Sequence, residues 1–162
     1  MKEATICLLV KGNQKDKEIL LAMKKRGFGV GKWNAVGGKI DFEKGDKNVI
    51  DAAIRETEEE IGVQVKELEK VAILNFTFPY NRAWDQTVHV FLAQNWEKEP
   101  VESEEMAPRW FKIHEIPYDK MWDDDKVWLP NILEGKKLKA DFIFKEGEVL
   151  SSQNVKIIEK LE

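Results

Sequence analysis

Residues 37–63 read GGKIDFEKGDKNVIDAAIRETEEEIGV, and the rest of the chain is organised around them. Two glycines, Gly37 and Gly38, lead into a polar, charged loop; beyond it Val49, Ile50, Ala53, Ile54, Thr57 and Ile61 recur at helical spacing. That period predicts a helix with one side turned to a core. Gly62 stands where a left-handed cap would end it. On such a helix Glu56, Glu59 and Glu60 fall three and four apart and share one edge, while Glu58 points elsewhere. Arg55 lies four before Glu59 and is within reach to orient it.

Three carboxylates on one patch repel one another unless a cation joins them. Oxygen donors grouped this way suit Mg2+ or Mn2+ and suit zinc or copper poorly. The plain alternative is a solvated acidic face, common in a chain with 35% charged residues. Against it, positions 61–65 carry no positive charge, so the following turn offers no Glu-to-Lys pairs. Spacing alone leaves both readings open.

Length and composition narrow the classes. With 162 residues, 43% of them hydrophobic, the chain is long enough to bury a core, and one domain is expected over 1–162. A net charge of -4 without Lys/Arg clusters argues against a nucleic-acid polymer as partner, but not against a small phosphate ligand. The lone cysteine, Cys7, lies in an apolar run and closes no internal disulfide; it reads as a core residue in a reducing cytoplasm. His89 and His114 are the two histidines, too few for a His/Cys metal centre, and His89 reads as a structural strand residue. The N-terminal apolar run 6–10 is too short for a signal peptide or membrane span.

Taken in order, residues 4–10 and 18–23 read as a strand hairpin. Residues 24–34 follow, with Gly27, Gly29 and Gly31 among cations; local sequence favours an ordinary flexible surface loop. A short strand at 33–36 delivers the chain to Gly37 and Gly38, where missing side chains let a backbone carbonyl approach a metal. Beyond the central helix, strands are expected at 71–78, 87–93 and 107–112. The loop 97–106 carries Glu99, Glu102, Glu104 and Glu105, which solvation explains by default. A second helix starts among Asp123, Asp124 and Asp125, which capping and the helix dipole would account for. Residues 140–145 and those from 149 onward form a closing hairpin. Strands interleaved with two helices give an α+β class, a mixed sheet with helices packed on it.

The run Arg55-Glu56-Thr57-Glu58-Glu59-Glu60-Ile61-Gly62-Val63, preceded by Gly37-Gly38-Lys39, resembles the Nudix box of the MutT-type pyrophosphohydrolases. The chain departs from that pattern in two ways. Its loop from Gly38 to Arg55 is longer, so that Lys47 occupies the strict position of a further glutamate and Glu43 and Asp46 are the nearest acids. Thr57 replaces an aliphatic residue. Neither change alters the spacing of Glu56, Glu59 and Glu60.

Residues 23–39 (MKKRGFGVGKWNAVGGK), 100–111 (PVESEEMAPRWF) and 116–130 (IPYDKMWDDDKVWLP) extend the resemblance to the animal branch of the family, which removes oxidised purine nucleoside triphosphates. The resemblance implies the Nudix α/β/α sandwich with a mixed central sheet, and a monomer is expected. It implies Mg2+ or Mn2+ at Glu56, Glu59, Glu60 and Glu105 with the Gly37 carbonyl nearby, and catalysis by Glu59, Glu60, Arg55 and Glu105. It also implies a nucleobase pocket in which Asn34, Trp122, Asp124 and Asp125 read the base. Thr5, Lys24, Phe28, Phe76, Phe78, Met106 and Trp128 would line that pocket. Apolar and aromatic walls bury a flat base, while a carboxyl pair sharing one proton can donate to one base and accept from another. Gln86 makes the wall more polar than in that branch, which carries a methionine there.

The expected activity is metal-dependent hydrolysis of modified purine nucleoside triphosphates to a monophosphate and pyrophosphate. Two other functions share the fold. One is a nucleotide sensor without hydrolysis; the other is a hydrolase of ADP-ribose, dinucleotides or capped RNA, against which the aromatic segment and Asp124/Asp125 argue.

Overall fold

The computed structural model describes residues 2–161. Its sheet runs in the order β3 (Trp33–Asn34), β2 (Glu18–Lys24), β1 (Lys2–Lys11), β5 (Gln86–Glu97), β4 (Gln64–Thr77), β7 (Lys137–Lys145), β8 (Val149–Ile158), and β6 (Met106–Lys112) pairs with β2. β1 with β5 and β4 with β7 are parallel; the other pairings are antiparallel. This is the mixed sheet that the sequence predicts.

Alternation along β1 explains the layers. Cys7 and Leu9 point into a cluster with Ile61 and Val63, at the end of helix α1 (Val49–Ile61). Leu8 and Val10 point into a larger cluster with Trp128, Leu129 and Ile132 of helix α2 (Asp125–Leu133). Because successive strand residues face opposite ways, the two helices cover opposite faces of one sheet. A central strand buried on both sides must be apolar throughout, as ICLLV is at 6–10.

Helix α1 has the predicted bounds. Asn48 caps it by accepting the Asp51 amide at 2.9 Å, and Gly62 ends it at φ 74°. Thr57 is fully buried; its hydroxyl donates to the Ala53 carbonyl at 2.7 Å, which is how a polar residue fits an aliphatic position. Ile50, in the first turn of the expected stripe, is exposed. Cys7 is buried, and burial pushes its thiol up to about 12, an inert core residue.

Two strands differ from expectation. β4 starts at Gln64, earlier than residue 71, because backbone pairing to β5 continues through charged, bulged positions that show no apolar alternation. The strand expected at 33–36 shrinks to Trp33–Asn34, followed by an isolated bridge from Val36 to Cys7. Among the described residues no helix is long and apolar enough to cross a membrane.

Candidate active site

Helix α1 turns its acidic edge towards a cleft lined by Glu56, Glu59, Glu60, Arg26, Lys44 and Glu105. Arg55 braces that edge: one nitrogen, Nη1, donates to Glu56 Oε1 at 2.9 Å and to Glu59 Oε2 at 3.1 Å. Its other two nitrogens donate to Asp46, at 2.9 and 2.7 Å, and Nη2 also reaches the Lys39 carbonyl at 3.1 Å. Sequence reasoning left the accessory acid of the enlarged loop open between Glu43 and Asp46. Asp46 is the one that folds inward, and the hydrogen bonds from Arg55 hold its carboxyl below the ordinary range. The same bonds raise Arg55 above its own.

Glu60 lies deeper than its neighbours. Its Oε1 accepts the Gly37 amide at 3.4 Å, and its Oε2 is buried without a hydrogen-bond partner. Burial pushes its carboxyl up to about 7, and burial likewise raises Glu56. An orphaned buried carboxylate oxygen is costly unless something electropositive completes it. The donors are all oxygen, which fits a hard divalent ion. Among the described residues, no three acidic, histidine or cysteine side chains already form a closed metal cage. Arg55 and Lys44 hold Glu56 and Glu59 instead, and Arg26 holds Glu105 at 3.4 Å.

Gly37 and Gly38 form the floor between this cleft and a second space. A Cβ on Gly38 would fall 2.3 Å from Glu56 Cδ, and one on Gly37 would fall 1.9 Å from the Thr5 carbonyl oxygen. At Gly37 only glycine avoids a clash with the β1 backbone, whereas at Gly38 a side chain would push the Glu56 carboxylate aside. The Gly38 carbonyl is taken by Thr5, which donates both its amide, at 2.8 Å, and its hydroxyl, at 3.0 Å.

The second space is a cavity of about 200 Å³ on the α2 side of the sheet. Thr5, Lys24, Phe28, Asn34, Phe76 and Phe78 line it, as do Met106, Trp122, Asp124, Asp125 and Trp128. Every residue that the resemblance assigned to a base pocket therefore faces one cavity. Gln86 and Phe144 line it too. Phe78 stacks on Phe144 with centroids 5.2 Å apart, and Phe28 packs against Trp122 at 5.1 Å and Trp84 at 4.9 Å. Lys32 reaches over the Trp122 ring at 5.2 Å while pairing with Glu148 at 3.0 Å.

Residues 24–34 lie on the surface as expected, with Phe28 and Val30 exposed, but the loop is held by its own backbone bonds and contributes to the cavity wall. The Lys24 amide donates to the Lys32 carbonyl and the Gly31 amide to the Lys24 carbonyl, at 3.1 and 2.9 Å, and Lys24, Phe28 and Asn34 line the cavity. The loop's anchors are aromatic rings supplied by residues far along the chain, which local sequence does not display. Capping of α2 by its acids is corrected as well. Asp124 occupies the cap position without any side-chain cap bond, and its Oδ2 accepts the Trp128 indole N–H at 2.7 Å instead. Asp123 binds Lys126 and the Leu150 amide, at 2.7 and 2.9 Å. Burial pushes the Asp124 carboxyl up to about 7, and burial together with the Asp124 charge raises Asp125 well above the ordinary range. Both carboxylates line the cavity.

The acidic loop 97–106 is more than a solvated run. Glu102 pairs with Lys25, Glu104 with Arg26 at 3.5 Å, and Glu105 with Arg26 and Lys24 at 3.4 and 4.0 Å. His89 is buried and its Nε2 meets Glu3 at 3.0 Å, a structural position as expected. Trp84 and Lys44 escaped the sequence reading. Trp84 lies in a turn beside Phe28, and Lys44 in the enlarged loop, where nothing sets it apart from Lys39 and Lys47.

The sequence pattern of the NUDIX domain matches residues 1–132. The oxidized purine nucleoside triphosphate hydrolase of Danio rerio is 41% identical over 143 residues, 88% of this chain and 89% of the relative. Its Mus musculus counterpart is 38% identical over the same shares. Among solved structures, the MutT protein from Bacillus halodurans superposes with a TM-score of 0.81 over 96% of this chain and 97% of its own, at 24% identity. The NUDIX domain of Shewanella oneidensis NrtR, in complex with ADP ribose, gives 0.70 over 83% and 88%, at 14% identity. At such identities the two structures speak for the fold.

Proposed function

The chain belongs to the Nudix family, and we propose that within it this protein is a Mg2+-dependent pyrophosphohydrolase of oxidised or otherwise modified purine nucleoside triphosphates. One observation carries the reading: the cavity lined by Asp124, Asp125 and aromatic rings meets the carboxylate cleft across Gly37 and Gly38. A base seated in the cavity can therefore send its phosphate chain over two residues without side chains to reach Glu56, Glu59 and Glu60. The curated relatives carry the matching name.

Glu56, Glu59, Glu60 and Glu105 would hold the metal, with Gly37 nearby. Mg2+ or Mn2+ bound there supplies Lewis-acid charge neutralisation and a more acidic water. Arg55 fixes Glu56 and Glu59 so that their oxygens face the cleft together. A carboxylate among Glu59, Glu60 and Glu105 takes the proton from the attacking water. Attack at a phosphorus breaks a phosphoanhydride bond and releases nucleoside monophosphate and pyrophosphate. On the base side, Asn34, Trp122, Asp124 and Asp125 orient the purine, and Phe28, Phe76, Phe78, Met106 and Trp128 exclude water around it. Thr5 and Lys24 line the same cavity beside Gly37 and Gly38. The protein would act as a monomer on small nucleotides in the cytoplasm, which suits a lone buried cysteine.

The test is pyrophosphate release from 8-oxo-dGTP, 2-oxo-dATP, O6-methyl-dGTP, N6-methyl-dATP, dGTP, dATP and ADP-ribose, each with Mg2+ and with EDTA. Metal-dependent release that favours modified purines is expected. Turnover of ADP-ribose alone would discard the base pocket, and nucleotide binding without any turnover would favour a sensor.

A further inference from the structure

Lys44 ends the 3-10 turn Phe42–Lys44, in the loop between Gly38 and α1. The turn is fixed at both ends. Asp41 accepts the Glu43 amide at 3.0 Å, and Gly45 closes it at φ 97°, a backbone angle that favours glycine. Just beyond, the buried Asp46 carboxylate accepts the Asp41 amide at 2.9 Å and grips Arg55 through two nitrogens. Because Arg55 also holds Glu56 and Glu59, the loop and the acidic edge of α1 are one braced unit. The inserted loop is thus a mount, and the side chain it projects over the cleft is Lys44, whose Nζ lies 3.4 Å from Glu59 Oε2.

Stability gives a poor account of that ion pair. Both partners are about half exposed, at 51% and 44%, and pairs of this kind contribute little. Glu59 does not depend on it, since Arg55 already holds the same oxygen at 3.1 Å. A triphosphate brings several negative charges into the cleft, more than a metal ion alone offsets. A lysine is suited to meet them, being a compact charge on a flexible stem with three donors. We propose that Lys44 is a triphosphate-positioning residue, which pairs with Glu59 until substrate enters and then turns to the phosphate chain. This rests on the hydrolase reading above and gives the enlarged loop its purpose.

The test separates phosphate from base. With Mg2+ present, Lys44→Ala should weaken binding of inorganic tripolyphosphate, measured by calorimetry, by about tenfold. KM for a modified purine triphosphate should rise in parallel, with kcat and the affinity for the bare nucleoside unchanged. Lys44→Gln should behave like Lys44→Ala, Lys44→Arg should restore most of the affinity, and Lys47→Ala in the same loop should change nothing. The deficit should shrink as salt is raised. Unchanged tripolyphosphate affinity in Lys44→Ala, an equal loss of nucleoside affinity, or no rescue by Lys44→Arg would overturn the proposal. Hydrolysis with unchanged tripolyphosphate affinity sinks Lys44 alone. No hydrolysis by the wild type, with affinity still lost on Lys44→Ala, sinks the enzymatic reading and leaves Lys44 in place.

Discussion

The carboxylate cleft and the aromatic cavity lie on either side of Gly37 and Gly38, and they are held by different forces. The cleft is polar and partly open. Its geometry comes from Arg55, whose guanidinium ties together residues 39, 46, 56 and 59. The cavity is walled by rings packed about 5 Å apart, and burial raises both carboxyls of its polar pair, Asp124 to about 7 and Asp125 well above the ordinary range, where the Asp124 charge adds to the shift. A cation in the cleft strengthens what is already a charge network, whereas a flat base in the cavity replaces ring-to-solvent contact with stacking. Damage to the two regions should therefore separate: cleft changes should lower turnover and cavity changes should lower discrimination.

The largest expected effect breaks the cleft alone. Glu59→Gln should lower turnover about a thousandfold, while melting temperature and nucleoside affinity hold. Near-normal turnover would remove the proposed metal face. Next in size is the reciprocal change. Asp125→Ala should cut the kcat/KM preference for modified over ordinary purines by about a hundredfold, with tripolyphosphate binding intact. Loss of both together would mean that the two regions are not separable.

Asp46→Ala tests the brace. Removing the double partner of Arg55 should lower kcat by about tenfold, because Glu56 and Glu59 lose their fixed orientation. It should also cost about 2 kcal/mol in urea unfolding, since a partly buried guanidinium loses its closest carboxylate. An unchanged kcat with lowered stability would reduce Asp46 to a structural role.

The smallest effect is in pH. Asp124 is raised in the folded chain from the ordinary 3.8 to about 7, so its stabilising contribution is complete below pH 3.8 and is lost as pH rises through 7. Urea stability should therefore decline from acid towards neutral pH, and Asp124→Asn should reduce that decline, leaving the part that Glu60, raised by burial in the same way, contributes. Affinity for a base that needs a donated hydrogen bond should weaken several-fold as the pair loses its first proton. A decline unchanged in Asp124→Asn would mean that the Asp124 carboxyl does not hold a proton over this range.

Much of this was legible before folding. The period of 49–61, the Gly62 cap and the spacing of Glu56, Glu59 and Glu60 follow from local geometry, and the helix obeys them. So do the mixed sheet and the buried Cys7. The role of Asp46 was not legible, because an insertion moved the acid off the position where spacing would seek it. Asp124 read as a cap since acids at a helix start usually are one; that its carboxyl turns to Trp128 depends on how α2 packs. The loop 24–34 read as flexible because its anchors, Trp84 and Trp122, are remote in sequence.

Sequence alone was enough for whatever one turn of helix or one stretch of strand enforces: the acidic edge, its bracing arginine, the glycine passage and the family these mark. Packing was needed to settle which charges and rings face one another across longer chain separations, from fifteen residues upward. Lys44 on Glu59, Arg26 on Glu105 and Phe28 between two tryptophans are such cases. The reason is physical: backbone geometry fixes neighbours along the chain, while neighbours across a cleft are fixed only when sheet, helix and loop have packed.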